Sequence, residues 1–523
     1  MAIRVVRDED APEEQQDPRP GGGGGNSGGG GLIKLLPILL GLFGKNPKLL
    51  ILVAIVGGAF YLFKGGCNTP LTPNQQNSNA LNTGAALDPK QFDQTEVFES
   101  LELGVNTLPE RVSLEKFCPP RLNQGQQGSC VAWSHAYAAR SIMYNMQMGN
   151  NPSVESAFSP AFLYNQIKLD GCQGSYIPRA MDKMLNQGLV PYNDFEYNDQ
   201  ECDRMPGENL KQKAGNFRIK GFQRLTKGDK SGFESEEIDL IAIKQNLAQG
   251  APVTIGMMVG GTFMQEMMGR EVWEPTEEDY QMNGFGGHAM CIIGYDDYKA
   301  GGAFQIMNSW GSEWGKNGIG WVKYNDFKYF NKEAYGLYPM GNASDPKFSP
   351  SHLKASFGLV NKATNKIIPL TKQSNMSFRT SENLQKGTAK FKIQVTNDAE
   401  CYTYVYGLEN NNTVAGLFPY TEKHSPYCGI MGTRLFPKDY SLQPDEQGNL
   451  DYFVIVVSKK PMDYNKTKEN LSKASGTLEQ KIKSVFGNQL ISPEFIVNQT
   501  ISFDTNDATD NNAVAMIIEV SKN

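Results

Sequence analysis

The sequence predicts an α+β chain: a domain of mixed helices and strands, a separate β-rich domain after it, and one membrane-spanning helix near the N-terminus. Ala132, Ala136, Ala139, Met143 and Met146 recur at helical spacing after Cys130, which marks a helix with a buried stripe. Further on, the apolar run from Met290 to Gly294 and the period-two alternation of Phe391, Ile393 and Val395 have strand character. Leu49 to Phe63, LLILVAIVGGAFYLF, is uncharged throughout.

Taken in order, residues 1–46 are charged and then glycine-rich, with PGGGGGNSGGGG from Pro20 to Gly31 and a short apolar stretch broken by Lys34 and Pro37. Such a composition cannot bury a core and is expected to stay disordered. Residues 47–66 reach the ~20 residues that a bilayer crossing needs, provided that Lys48 and Lys64 extend to the two interfaces. Arg4, Arg7, Arg19, Lys34, Lys45 and Lys48 precede the span, and after Lys64 no basic residue appears until Lys90. The expected topology is a single pass in the cell membrane, with the N-terminus cytoplasmic and everything after Lys64 outside. Residues 67–106, rich in Asn, Gln and Thr, read as a linker. A mixed domain over 107–342 and a β-rich domain over 343–523 complete the chain.

Composition excludes several classes. With 523 residues there is room for about two or three domains. Eight cysteines are too few for a disulfide-built scaffold. The net charge of −6 and a pI near 5.5, without a basic stripe interleaved with aromatics, argue against a nucleic-acid partner. No HExxH, CxxC or phosphate-cradling glycine motif is present, so neither a metal nor an organic cofactor is expected.

Chemistry concentrates around Cys130, in NQGQQGSCVAW. A thiolate attacks where a thiol does not, and a cysteine opening a helix has its pKa lowered by the partial positive charge there. Ser129 is the expected N-cap. Gln124 is linked to Cys130 through a flexible loop and can fold back so that its amide, with the Cys130 N–H, donates to a developing oxyanion. A base must come from four histidines, His135, His288, His352 and His424. His135 lies about 140° around the same helix, so it faces away from the sulfur. His288 opens the apolar strand in GFGGHAMCIIGYDDY, and Asn308 follows in FQIMNSWGSEWGKNGIGWVKY, where its amide oxygen can orient the imidazole while Trp310 and Trp314 keep out water.

Together QGxxGSC, GxxHA and NSWGxxWG resemble the papain-like cysteine peptidases, over about Leu108 to Met340. The resemblance implies a two-lobed fold with a helical lobe and a β-barrel-like lobe, polypeptide substrates, and catalytic roles for Cys130, His288, Asn308 and Gln124. It also places Gly174, Ser175 and Tyr176, in LDGCQGSYIPRAMDKMLNQG, and Gly287 on the substrate-binding wall. Gln127 stands where many relatives have a cysteine, and Val131 where many have tryptophan, so Cys172 must look elsewhere for a partner. An external compartment permits disulfides, and Cys172 with Cys202 and Cys401 with Cys428 are the expected pairs. The usual inhibitory prosegment has too few residues here: either that device is absent or a shorter segment around Phe92 to Leu103 covers the cleft.

After Gly341, KFKIQVTN, YTYVYG, DYFVIVVS and AVAMIIEV are strand candidates and Lys466–Phe486 a helix. Phe378 to Tyr464 resembles a small domain of unknown function appended to bacterial exported enzymes. The expectation is a membrane-anchored cysteine endopeptidase acting through a Cys-His-Asn triad and a thioester. The alternatives are a noncatalytic cell-surface peptide-binding protein and a transglutaminase-type acyltransferase, which pairs Cys and His with Asp.

Overall fold

The small and apolar residues that follow Cys130 wind into one long helix, seen in a computed structural model that describes residues 3–8, 82–227, 238–339, 352–506 and 512–523. It runs as Cys130–Ala132, an i→i+5 bonded stretch Trp133–Arg140, and Ser141–Met148, ending at Gly149 in the left-handed conformation. Cys130, Val131, Ala132, Ala136, Ala139 and Met143 are buried, so the helix is the core of its lobe rather than a surface element. Pro160–Ile167 packs beside it, with Pro160 in the first turn and the Ser159 hydroxyl accepting from the Phe162 N–H. Ile177–Asn186 completes the helical side and buries Ile177, Ala180, Met181 and Met184.

Facing these helices is a seven-stranded sheet in the order Ile219–Arg224, Asn331–Pro339, Val253–Val259, Gly286–Asp296, Ala303–Met307, Ile319–Lys323, with Arg111–Ser113 paired to the far end of Gly286–Asp296. Its edges Ile219–Arg224 and Ile319–Lys323 do not pair, so the sheet is open and the expected barrel-like lobe is not closed. Gly286–Asp296 is central, and His288 through Tyr295 are all buried, which explains their unbroken apolar character.

Residues 82–101, part of the expected linker 67–106, pack against the two domains at several points. Phe92, Val97, Phe98 and Leu101 are buried, and each such side chain contributes roughly 1.5–3 kcal/mol on leaving water, which offsets the cost of ordering its own residue. At Glu96 to Ser100 this segment is stitched between the two domains: Arg224 N–H donates to Glu96 O and Phe98 N–H to Arg224 O on one side, Val97 N–H to Lys423 O and Ser425 N–H to Val97 O on the other.

The second domain is a β-sandwich. One sheet runs Ile3–Arg7, Tyr440–Pro444, Phe391–Asn397, Leu353–Asn361, Ile501–Thr505, Ile496–Val497; the other runs Leu370–Lys372, Ser377–Thr380, Ala513–Ser521, Leu450–Ser458, Cys401–Leu408, Val414–Phe418. Phe453 and Ile455 face the core shared with Phe357, Ile393 and Val395, while Val454 and Val456 point the other way, under Leu471, Leu478, Ile482 and Phe486. That outer layer is two helices, Tyr464–Lys473 and Leu478–Phe486, instead of the single one expected: Gly476 takes positive φ, and Thr477 starts the second helix with a capping box to Gln480.

Ile3–Arg7 belongs to the expected disordered tail, yet it pairs antiparallel with Tyr440–Pro444, because Ile3 is buried against the sandwich core and Asp8 bonds Ser441 and Lys392. A single crossing at 47–66 would put residues 3–8 and the sandwich on opposite sides of a bilayer, so that topology and this pairing exclude each other. Residues 47–66 themselves, like the glycine-rich tract, lie outside the described residues. Among the described residues no helix is long and apolar enough to cross a membrane.

Candidate active site

The helix starting at Cys130 and the strand starting at Gly286 bring the predicted residues to one place. Cys130 Sγ is fully buried and accepts from the Ala289 N–H at 3.4 Å, the amide directly after His288. His288 Nε2 lies 2.8 Å from Asn308 Oδ1, and the His288 ring stacks on Trp310 at 4.4 Å between centroids. Because Asn308 Oδ1 also accepts from the Ser309 N–H at 2.7 Å, it is fixed as an acceptor and holds the imidazole proton on Nε2. His288 Nδ1 is then an acceptor, buried and unpartnered. Trp314 packs edge-on to Trp310 at 6.0 Å, and its indole donates to Phe263 O.

Gln124 is held with its amide oriented: Ser309 Oγ donates to Oε1 at 2.7 Å, and Nε2 donates to Gln127 O and Asn82 O. Ser129 does not cap the helix; its hydroxyl pairs with Tyr197 OH at 2.6 Å, which anchors the loop instead. His135 is buried on the other face, with Nδ1 against Val131 O, as its angular position requires. His352 pairs with Asp504 in the sandwich, and His424 sits against Tyr420 in the seam between the domains.

The cleft is filled by the chain itself. Gly84 and Ala85 N–H both donate to Gly287 O, Ser175 N–H donates to Gly84 O, and Ala86 N–H donates to Ser175 O, a parallel pairing centred on Ala85. Asn82 O receives Gln124 Nε2 at 3.2 Å and the Trp310 indole at 2.7 Å. Cover therefore comes from residues 82–88, not from 92–103, which serve the domain seam. Ser175 and Gly287, both predicted for substrate, hold this strap through their backbones; Gly174 takes φ +134°, and a Cβ there would overlap Gly84 O. Tyr176 instead stacks with Arg179 at 4.8 Å.

Burial sets the electrostatics of the pair. Burial pushes the Cys130 thiol up to about 12, against the Ala289 N–H that favours thiolate, and burial holds the His288 imidazole down at about 4, against Asn308. Under the strap the pair is a neutral thiol and a neutral imidazole, the opposite of the lowered thiol pKa expected for a helix start.

Cys172 and Cys202 form a disulfide, bracing the loop that carries Gly174 and Ser175. Cys401 and Cys428, the other expected pair, stand directly opposite in adjacent strands as free buried thiols, each within 4 Å of Thr403 Oγ1. Ile177, Gly256 and Glu333, which the sequence did not single out, surround Leu87 in the cleft. Gly256 and Glu333 meet through strand pairing and Ile177 through the packing of its helix, so no local pattern announces them. Among the described residues no group of His, Cys, Asp and Glu could hold a metal.

A buried thiol at a helix start thus stands beside an amide-oriented imidazole and a glutamine amide, the arrangement that the resemblance to papain-like cysteine peptidases implied. Residues 109–340 match the model of the papain family cysteine proteases. A cysteine protease of Blomia tropicalis is 25% identical over 38% of the chain and 56% of its own length. Mouse cathepsin K is 25% identical over 46% of the chain and 65% of its own. The chain thus spans less than two thirds of either relative. Xylellain, a cysteine protease from Xylella fastidiosa of known structure, is 22% identical, covering 50% of this chain and 97% of its own, with a TM-score of 0.40.

Proposed function

We propose that the protein is a cysteine-type peptidase that hydrolyses peptide bonds, latent while residues 82–88 lie in its cleft. One observation carries the reading: His288 Nε2 bonded to Asn308 leaves a buried, unpartnered Nδ1 on the residue next to the amide that touches Cys130 Sγ. Once the strap leaves, water and the helix start favour a thiolate, and the Cys130 proton passes to His288 Nδ1.

The sulfur then attacks the peptide carbonyl carbon, and the carbonyl π pair moves to oxygen, held by Gln124 Nε2 and the Cys130 N–H. Collapse breaks the C–N bond, with the Nδ1 proton going to the leaving amine. Water, giving its proton to Nδ1, cleaves the thioester, releases the carboxylic acid and returns the thiol. Asn308 as third member favours this reading over a transglutaminase-type acyltransferase, and the presence of both thiol and base favours it over a peptide binder. The test is Cys130→Ala with the full chain and a mixed peptide library: turnover is expected to vanish with thermal unfolding unchanged, and undiminished cleavage would remove the assignment.

A further inference from the structure

Outside the cleft, two thiols face each other in the sandwich. Cys401 and Cys428 are register partners in neighbouring antiparallel strands, which sets their Cα atoms roughly 4.5–5.5 Å apart, inside the ~4.4–6.8 Å that a disulfide spans. Both side chains belong to the sandwich core, each residue is 2% exposed, and the two sulfurs lie 3.9 and 3.8 Å from the same Thr403 Oγ1. The Cys401 thiol donates to the Cys428 sulfur and, with the Arg434 guanidinium and against burial, holds the Cys428 thiol below its ordinary range, so Cys428 is the readier nucleophile.

Tyr427–Cys428 is a strand of two residues that pairs on one side only, with Cys401–Leu408. Thr403 N–H donating to Pro426 O and Asn397 Nδ2 donating to Cys428 O add to its hold. Just before it in the chain, Lys423 O accepts from the Val97 N–H, Ser425 N–H donates to Val97 O, and Ser425 Oγ donates to the Glu96 carboxylate. The thiols thus stand at the base of the segment that grips the domain seam, and Val97 belongs to the same run of chain as the strap over Cys130. So short and singly paired a strand opens locally more readily than the sheet it borders. Opening frees Val97 from Lys423 and Ser425 and brings both thiols to solvent. A bond between the sulfurs forbids that opening unless Cys401–Leu408 moves too, and that strand is held on its other side by Leu450–Ser458.

We propose that Cys401 and Cys428 are a reversible redox modification site, a dithiol that low-molecular-weight disulfides oxidise and that, once closed, locks residues 420–428 against Val97. In the opened state the Cys428 thiolate attacks one sulfur of R–S–S–R, forming a mixed disulfide and expelling R–S⁻. The Cys401 thiolate then attacks the Cys428 sulfur and expels the second R–S⁻. The two thiol protons end on the two expelled sulfurs, so two Cys–SH and one R–S–S–R become one Cys–S–S–Cys and two R–SH.

The test uses the full chain carrying Cys130→Ala, which keeps the helix-start thiol out of the exchange, equilibrated in reduced or in oxidised glutathione. Peptide mapping is expected to show Cys401 linked to Cys428 in the oxidised buffer and both free in the reduced one, with Cys172 linked to Cys202 in each. Amide hydrogen exchange in the peptides that contain Val97 and Ser425 is expected to slow on the order of tenfold on oxidation and to recover when reduced glutathione is restored. With Cys401→Ala and Cys428→Ala together, the dependence on buffer is expected to vanish. Thiols that stay free, a mixed disulfide that never closes, a link from either cysteine to another one, or equal exchange in the two buffers overturns the proposal. So does a dependence on buffer that survives in the double variant. If the double variant does not fold, the exchange ratio of the chain that keeps both cysteines decides, since its two mapped samples differ in that bond alone.

Discussion

A Cβ on Gly84 would overlap the carbonyl oxygen of Gly128, two residues before Cys130. The strap lies against the nucleophile loop backbone to backbone, so only glycine at position 84 lets it seat. Gly84→Ala is therefore expected to lift the strap. Iodoacetamide alkylation of Cys130 at pH 7.5 should accelerate roughly tenfold or more, and peptide turnover with it, because the rehydrated thiol falls from about 12 toward its ordinary range. An unchanged alkylation rate would show that the strap does not control the sulfur.

Asn308→Ala removes the acceptor that holds His288 with its proton on Nε2. The imidazole then loses its fixed tautomer, and kcat is expected to drop ~10²-fold, with KM altered little. Steady-state kinetics in the Gly84→Ala background checks this. A fall in KM-limited binding alone would mean that Asn308 shapes the groove rather than the base.

Glu99 gives the domain seam a pH dependence. Burial raises its carboxyl to about 7, against Tyr420 OH at 2.7 Å, with Lys438 and Arg434 opposing and Cys428 adding to the rise; His424 Nε2 stands 3.7 Å away. The folded state keeps the proton up to about pH 7 and the unfolded state only to about 4.5, so this group's contribution falls as pH rises between those values. Glu99→Gln lacks that dependence. The thermal midpoint of the unaltered protein, measured relative to Glu99→Gln, is expected to fall by several degrees from pH 5 to pH 7.5; a flat difference would place the carboxyl in water.

Arg4 and Gln443 face each other in the pairing of the N-terminal strand with the sandwich. The double variant Arg4→Cys with Gln443→Cys is expected to cross-link within the full chain under mild oxidation, visible as a mobility shift that reductant reverses. Absence of the link, with each cysteine accessible on opposite faces of a membrane vesicle, would restore the single-pass topology.

Residues whose chemistry depends on near neighbours in the chain were legible. Cys130 announces itself through a glycine-flanked loop and the helical spacing after it, and His288 and Asn308 through the short strands they adjoin. What escaped was set by distant contacts. Glu333 reads as one more acid in a β segment until strand pairing turns it toward Leu87. Residues 82–106 have the polar composition of a tether, yet a few apolar side chains at Leu87, Phe92, Val97 and Phe98 suffice to seat them, and nothing local says against what. The upward shift of the thiol was illegible for the same reason, since it comes from the burial of Cys130 in the assembled fold, which its own helix does not announce. Open sheet edges likewise depend on partners that no strand encodes alone.

Residues 82–106 are one unbroken run, pinned at one end in the groove and at the other between Arg224 and Lys423. A pull that parts the sandwich from the seven-stranded sheet is transmitted along about fifteen residues of backbone to the Asn82 carbonyl that rests on Gln124. The sandwich is thereby a lever on the thiol, and whatever grips it from outside sets the tension on the plug.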